Sequence, residues 1–256
     1  MSTLDRFSLS GKTAIITGAS QGIGESIAIG MAEAGANVVL AARSVEKLEN
    51  VAAKVEAIGA RCIKVKTDVQ KRDDIEAMVE ATVAEFGTVD CLVNNAGINL
   101  VKPALKITEE EWDALLDTNL KAYFMCSQAA GRVMIENESG SIINNASIFG
   151  IRGFHMLAAY ISSKGGVVQL TRGLAVEWAR KGVRVNCVAP GYTVTEMAKR
   201  DIESNPAILE ANLRKIPMNR GGDPREIADV MVFAASDAAS YMTGQIISVD
   251  GGWSAY

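Results

Sequence analysis

The stretch from Thr13 to Ala34 leaves fewer folds open to this chain than any other part of it. Thr13 to Thr17 reads TAIIT, a short β-branched run with no charge, which suits a strand buried on both faces. It runs straight into Gly18-Ala19-Ser20-Gln21-Gly22-Ile23-Gly24, and apolar residues at helical spacing follow through Ala34. Strand, glycine turn and helix in immediate succession form a place where backbone can approach a ligand closely. The free N–H groups at the helix start attract a phosphate there. The glycine spacing is G-x-x-x-G-x-G and not the G-x-G-x-x-G of the commonest dinucleotide fingerprint, so a tight turn without a ligand stays open on these residues alone.

The alternation continues along the chain. Asn37 to Ala41 reads as a second buried strand, and Ser44 opens a helix to Ile58. Cys62 to Lys66 alternates as a third strand that ends at Asp68-Val69, and Asp73 with Glu76 is expected to cap a helix to Phe86. Asp90 to Val93 is a fourth strand running into Asn94-Asn95-Ala96-Gly97. Thr108 and Glu111 form a capping box ahead of one long helix through Ile135, which holds Asn119 in its interior. Ser141 to Asn144, Arg184 to Ala189 and Gln245 to Val249 complete seven strands, and Asp223-Pro224-x-Glu226 starts a last helix. Strands alternating with helices predict an α/β fold: a doubly wound, seven-stranded parallel sheet with helices on both faces, as one domain over residues 1–256. The segment 192–220 is too long for a simple connection and is expected to cover a substrate.

Composition narrows the function. Apolar residues make up 48% of the 256 and the net charge is -4, with Lys and Arg scattered among acids, which speaks against nucleic acid as a partner. No apolar run nears the ~18 residues of a membrane span, so a cytoplasmic protein without a membrane partner is expected. Cys62, Cys91, Cys126 and Cys187 are widely spaced and the only histidine is His155, so neither a disulfide framework nor a metal site is expected.

Chemistry concentrates at Tyr160-Ile161-Ser162-Ser163-Lys164. On a helix, residues four apart share a face, and a Lys charge near a Tyr hydroxyl favours the phenolate, drawing its pKa toward neutrality. Arg43 follows the second strand where an acid would hold a ribose 2′-hydroxyl, and its guanidinium suits a 2′-phosphate; NADP(H) is therefore expected over NAD(H). Gly18-x-Ser20-x-Gly22 also matches the nucleophile elbow of a serine hydrolase, but the lone histidine and the position on the first strand disfavour that reading.

In this order the motifs resemble the short-chain dehydrogenase/reductase family, single-domain Rossmann branch. The likeness runs from Thr17-Gly18-x-x-x-Gly22-Ile23-Gly24 through Asn94-Asn95-Ala96-Gly97, Asn119, Ser147, Tyr160-x-x-x-Lys164 and Pro190-Gly191 to Asp250-Gly251-Gly252. The resemblance implies an oxidoreductase acting on CH–OH/C=O groups. Tyr160 would be the acid/base, Ser147 would hold the substrate oxygen, Lys164 would lower the Tyr pKa and bind ribose, and Asn119 would anchor a proton-carrying water. It further implies that Gly18, Ser20, Gln21, Gly22, Ile23 and Gly24 wrap the pyrophosphate, Asp68 and Val69 the adenine, and Asn95, Ala96 and Gly97 the ribose. Thr193 and Thr195, after Pro190-Gly191, would meet the nicotinamide. Gln21 stands where many NADP-preferring members carry a second basic residue, so cofactor choice is expected to rest on Arg43 alone. Ile148, Phe149, Phe154 and Tyr192 are candidate substrate walls, with Arg152 and His155 for an acidic or hydroxylated substrate. By resemblance the substrate is a 3-oxoacyl thioester or a sugar acid or polyol and the protein a homotetramer. A dinucleotide-sensing protein without catalysis is the alternative of another class.

Overall fold

A strand buried on both faces belongs inside a parallel sheet, and β1 (Thr13–Thr17) lies in its interior, between β2 and β4. The structure, a computed structural model, describes residues 2–195, 210 and 213–255. The other strands are β2 (Asn37–Ala42), β3 (Cys62–Lys66), β4 (Cys91–Asn94), β5 (Gly140–Asn145), β6 (Val183–Pro190) and β7 (Ile246–Val249). They form one seven-stranded sheet in the order β3-β2-β1-β4-β5-β6-β7, with every neighbouring pair parallel. The chain winds outward from β1 to β3, then returns to β4 on the other side of β1. That reversal opens a crevice at the carboxyl ends of β1 and β4.

The period-2 alternation of each strand divides its side chains between two cores. Ile16, Val38 and Leu40 pack under α1 (Gly22–Glu33), α2 (Val45–Ala57) and the helix Pro224–Ala235, named α7 below. Ile15, Val39, Leu92 and Ile142 face α3 (Arg72–Phe86), α5 (Ala122–Glu136) and α6 (Ala158–Trp178). Both faces are thereby covered, and the crevice at the strand ends is left as the place where polar groups gather.

The strand boundaries match the sequence expectation to within a residue or so, and the capping boxes at Thr108/Glu111 and Asp223/Glu226 both form. Two expectations fail locally. Asp73 does not cap α3, because the turn closed by Lys71 N–H on the Asp68 carbonyl brings the chain into helix already at Arg72. Its acids instead lie within the first turn, where the helix dipole favours them. The single helix expected through Ile135 is two: α4 (Glu109–Leu116) and α5, joined by a π-helical turn at Asp117–Lys121. Asn119 sits in that turn, fully buried, and the extra residue of the turn carries it inward to backbone partners that a regular helix would deny it. Of the expected cover at 192–220, residues 196–209, 211 and 212 lie outside the described residues. Among the described residues, no helix is long and apolar enough to cross a membrane and no cluster of metal-ligating side chains occurs.

Candidate active site

On the β1 side the crevice is made of backbone. Gly18 has φ +66° and lies so close to the β4 loop that a Cβ there would stand 2.9 Å from the Ala96 Cα. A Cβ on Gly24 would stand 2.2 Å from the Gly18 carbonyl oxygen, so the turn folds tightly back on the start of α1. Gln21 occupies the N-cap of α1 in extended conformation and its side chain makes no capping hydrogen bond. An N-terminus without a side-chain cap, approached over glycines, suits a phosphate. The residues therefore fit the pyrophosphate of a dinucleotide.

Asn95 holds the turn to its neighbours. Its Nδ2 donates to the Thr17 and Gly18 carbonyls at 3.0 and 3.2 Å, and its Oδ1 accepts from Asn145 Nδ2 at 2.8 Å. With the side chain so engaged, only the backbone of 95–97 is offered to the crevice. Asp68 Oδ1 accepts from Gln70 N–H, and Val69 is buried against the core. Gly191 packs where a Cβ would meet the Asp250 Cα at 2.7 Å, and Thr193 pairs with Gly222 in an isolated bridge. Arg43 is exposed just beyond β2. Lys47, one turn into α2, donates from Nζ to Gln21 Oε1 at 2.9 Å. A second cation thus stands near Arg43, because the helix carries Lys47 back to the position opposite Gln21.

On the β4–β5–β6 side the crevice is made of side chains. Asn119 clamps the loop after β4: its Oδ1 accepts from Ile98 N–H at 2.8 Å, and its Nδ2 donates to the Ile98 carbonyl and to Ser163 Oγ. Ser147, beyond the end of β5, accepts from Phe149 N–H, and its hydroxyl is close enough to the Tyr160 phenol to oppose the rise in that phenol's pKa. Tyr160 and Lys164 lie one turn apart on α6, with Lys164 Nζ 5.9 Å from the Tyr160 ring centroid. The ammonium donates to the Asn145 carbonyl at 2.7 Å and to Tyr123 Oη at 3.4 Å. The structure thus brings all four expected residues to one end of the sheet.

The electrostatics depart from expectation. Burial raises the Tyr160 pKa above its usual value, and the Ser147 hydroxyl only partly opposes this. Burial also lowers Lys164, to about 8. The expected lysine-driven depression of the tyrosine is absent because the ammonium is turned to Asn145 and Tyr123, while both groups bear the cost of desolvation. At neutral pH the arrangement is a protonated phenol beside an ammonium that is only moderately willing to stay charged.

Past Ser147 a cavity of about 220 Å³ is lined by Ile148, Phe149, Arg152, Gly153, Phe154, Lys215 and Trp253. Phe149, Phe154 and Trp253 form one aromatic cluster, and Lys215 Nζ lies 4.7 Å from the Phe154 ring centroid. Arg152 donates to the Trp253 carbonyl and ties the C-terminal segment to this wall. Tyr192 packs against the same cluster, whereas His155 is exposed and is not among the lining residues. No local motif marks Lys215 or Trp253 as cavity residues, and the C-terminal Trp253 region is expected from sequence only at a subunit contact; the fold alone brings both to the loop after Ser147. Ser20, the nucleophile of the hydrolase reading, sits in the glycine turn ahead of α1, and His155 is exposed on the loop ahead of α6.

Residues 18–254 match the family model described as enoyl-(acyl carrier protein) reductase. A 2-dehydro-3-deoxy-D-gluconate 5-dehydrogenase of Pseudoalteromonas atlantica is 41% identical over 254 residues, 98% of each chain. A 3-oxoacyl-[acyl-carrier-protein] reductase of Staphylococcus aureus is 43% identical over 242 residues, 94% of this chain and 97% of that one. Among solved structures, a gluconate 5-dehydrogenase of Burkholderia cenocepacia in complex with NADP and tartrate aligns with a TM-score of 0.94 at 36% identity over 100% of both chains. Sequence relation over nearly the full length and agreement in fold lead to one conclusion: the chain belongs to the short-chain dehydrogenase/reductase family and is an oxidoreductase.

Proposed function

We propose that the protein passes a hydride between NADP(H) and a ketone or secondary alcohol, with Tyr160 as general acid/base on the substrate oxygen. The observation that carries this reading is the placement of the Tyr160 phenol beside Ser147, with the Lys164 ammonium 5.9 Å from the Tyr160 ring. Gly18 through Gly24 at the start of α1 would hold the pyrophosphate, Asp68 and Val69 the adenine, the backbone of Asn95, Ala96 and Gly97 the ribose, and Pro190, Gly191, Thr193 and Thr195 the nicotinamide end. When bound, the nicotinamide supplies or accepts the hydride. The neutral phenol of Tyr160 delivers a proton to the carbonyl oxygen in reduction, and Ser147 holds that oxygen in place. Lys164 supplies charge beside the phenolate left behind, and Asn119 keeps the adjoining loop fixed. Arg43 and Lys47 together favour the 2′-phosphate of NADP(H).

For substrate, Arg152 and Lys215 on the cavity wall favour a sugar acid, whose carboxylate they would meet. The Phe149, Phe154 and Trp253 wall favours the second reading, a 3-oxoacyl thioester. A homotetramer is the expected assembly, supported by exposed Trp112, Phe124 and Val176 on the α4 to α6 side, and sedimentation tests it.

The test is NADPH oxidation, followed by absorbance, with a 5-oxo sugar acid and an acetoacetyl thioester. Tyr160→Phe should lower turnover by roughly 10³-fold while NADPH binding stays within about twofold. A fully active Tyr160→Phe would remove the proton role. Reduction should fall as pH rises through about 8, because Lys164 loses its proton there and the phenolate loses its neighbouring charge.

A further inference from the structure

Tyr123 is not part of the acid/base set above, yet its hydroxyl touches that set. It lies on α5 four residues beyond Asn119 and is almost wholly buried. Ala146, Val167, Val168 and Cys187 enclose it in an apolar cluster, so the ring is held by packing. Its hydroxyl is different: Oη donates to the Asn145 carbonyl at 3.1 Å and accepts from Lys164 Nζ at 3.4 Å. Lys164 Nζ also lies 5.1 Å from the Tyr123 ring centroid, so the ammonium sits between two phenol rings.

A phenylalanine would fill the same apolar space. The Asn145 carbonyl would not be orphaned either, because Lys164 already donates to it at 2.7 Å. What a phenylalanine cannot do is accept an N–H. An ammonium has three donors, and the protein fixes two of their directions through Asn145 and Tyr123. The geometry points to Tyr123 as a positioning residue for Lys164: its neutral hydroxyl accepts one ammonium N–H and, with the Asn145 carbonyl, fixes where the charge stands relative to Tyr160. This rests on the roles proposed above for Tyr160 and Lys164.

The surroundings of Lys164 leave Tyr123 as the adjustable partner. Facing it are Tyr123 from α5, Tyr160 from its own helix, and the Asn145 carbonyl and Cys187 from the sheet. Burial pushes the Cys187 thiol up to about 12 and the Tyr123 phenol well above its usual value, so both stay neutral through the working range. Loss of the Tyr123 acceptor therefore destabilises the ammonium without changing any neighbouring charge. The lysine then gives up its proton at lower pH.

The experiment compares wild type, Tyr123→Phe, Lys164→Ala and the double variant in the full chain, with NADPH and the carbonyl probe from the turnover assay. Tyr123→Phe should lower kcat about tenfold, leave the KM for NADPH within about twofold, and move the high-pH limb of kcat down by about one unit. In the Lys164→Ala background the same substitution should cost nothing further. Competitive acetylation of Lys164, read by mass spectrometry across pH, reports the amine without needing turnover and should shift in the same direction. An unmoved pH limb and acetylation curve, or a loss that persists in Lys164→Ala, overturns the proposal. A fully active Tyr160→Phe overturns the underlying reading instead, so the two failures are distinct.

Discussion

The two halves of the crevice solve the same problem in opposite ways. Around β1 and β2 the strands end in the small residues Thr17 and Ala42 and the ligand-facing surface is main chain, shaped by Gly18 and Gly24. Around β4 and β5 the strands end in Asn94, Asn144 and Asn145, all buried, and polar side chains are joined across the sheet. Asn94 Nδ2 donates to Asn144 Oδ1 at 2.9 Å and to Ser127 Oγ at 3.0 Å; Asn144 Nδ2 donates to Thr171 Oγ1 at 2.9 Å. Asn94 Oδ1 and Asn145 Oδ1 remain buried without a partner. Backbone geometry suffices to hold a phosphate. Holding a lysine ammonium at the Asn145 carbonyl requires that the strand end beneath it cannot shift, and the asparagine network supplies that rigidity at a cost in desolvation.

The comparison breaks most readily at the glycine turn. Gly24→Ala places a methyl 2.2 Å from the Gly18 carbonyl oxygen and 2.5 Å from Asn95 Nδ2, contacts that only a backbone shift relieves. It should cost upwards of about 3 kcal/mol and weaken NADPH binding by about 100-fold or more, read by thermal unfolding and by titration. A normal melt with normal binding would show that the turn is softer than its geometry. Next in size is Asn144→Ala, which takes from Thr171 Oγ1 the amide it accepts from, leaving only that hydroxyl's bond to the Val167 carbonyl, and removes a partner of Asn94 inside the core. Unfolding free energy should fall by about 2–3 kcal/mol, against about 1 kcal/mol for Ile16→Val in the apolar half. Equal losses at the two sites would mean the polar strand ends bear no special strain.

The same division explains how much could be read from the sequence. The backbone half was legible because its signals are local: TAIIT, the glycine run and the start of α1 are contiguous, and a parallel sheet follows from the alternation they begin. The side-chain half was legible only where a short spacing carries the chemistry, as in Tyr160 and Lys164. Asn119 was visible as a misfit in a helix, but the π-helical turn that resolves the misfit depends on Ile98 and Ser163, which are distant in sequence. The direction of the Tyr160 pKa was misjudged because sequence reveals a neighbouring charge more readily than it reveals burial. Tyr123, Lys215 and Trp253 carry no local mark at all, and only the packing of α5, α6 and the C-terminal segment brings them to the site.

The smallest effects test whether the backbone half has any side-chain selectivity of its own. Arg43→Ala should raise the KM for NADPH by about tenfold and leave that for NADH within about twofold, as expected when an exposed guanidinium loses a phosphate partner. Lys47→Gln should raise the NADPH value about threefold, again sparing NADH, since its ammonium is shared with Gln21 and is exposed to solvent. Because both cations act on the same phosphate, the double variant should fall short of the product of the two single effects. Raised salt should shrink both differences by screening exposed charge. If Lys47→Gln changed NADPH and NADH alike, its bond to Gln21 would be merely a contact that steadies α2 against the glycine turn, and selectivity would return to Arg43 alone.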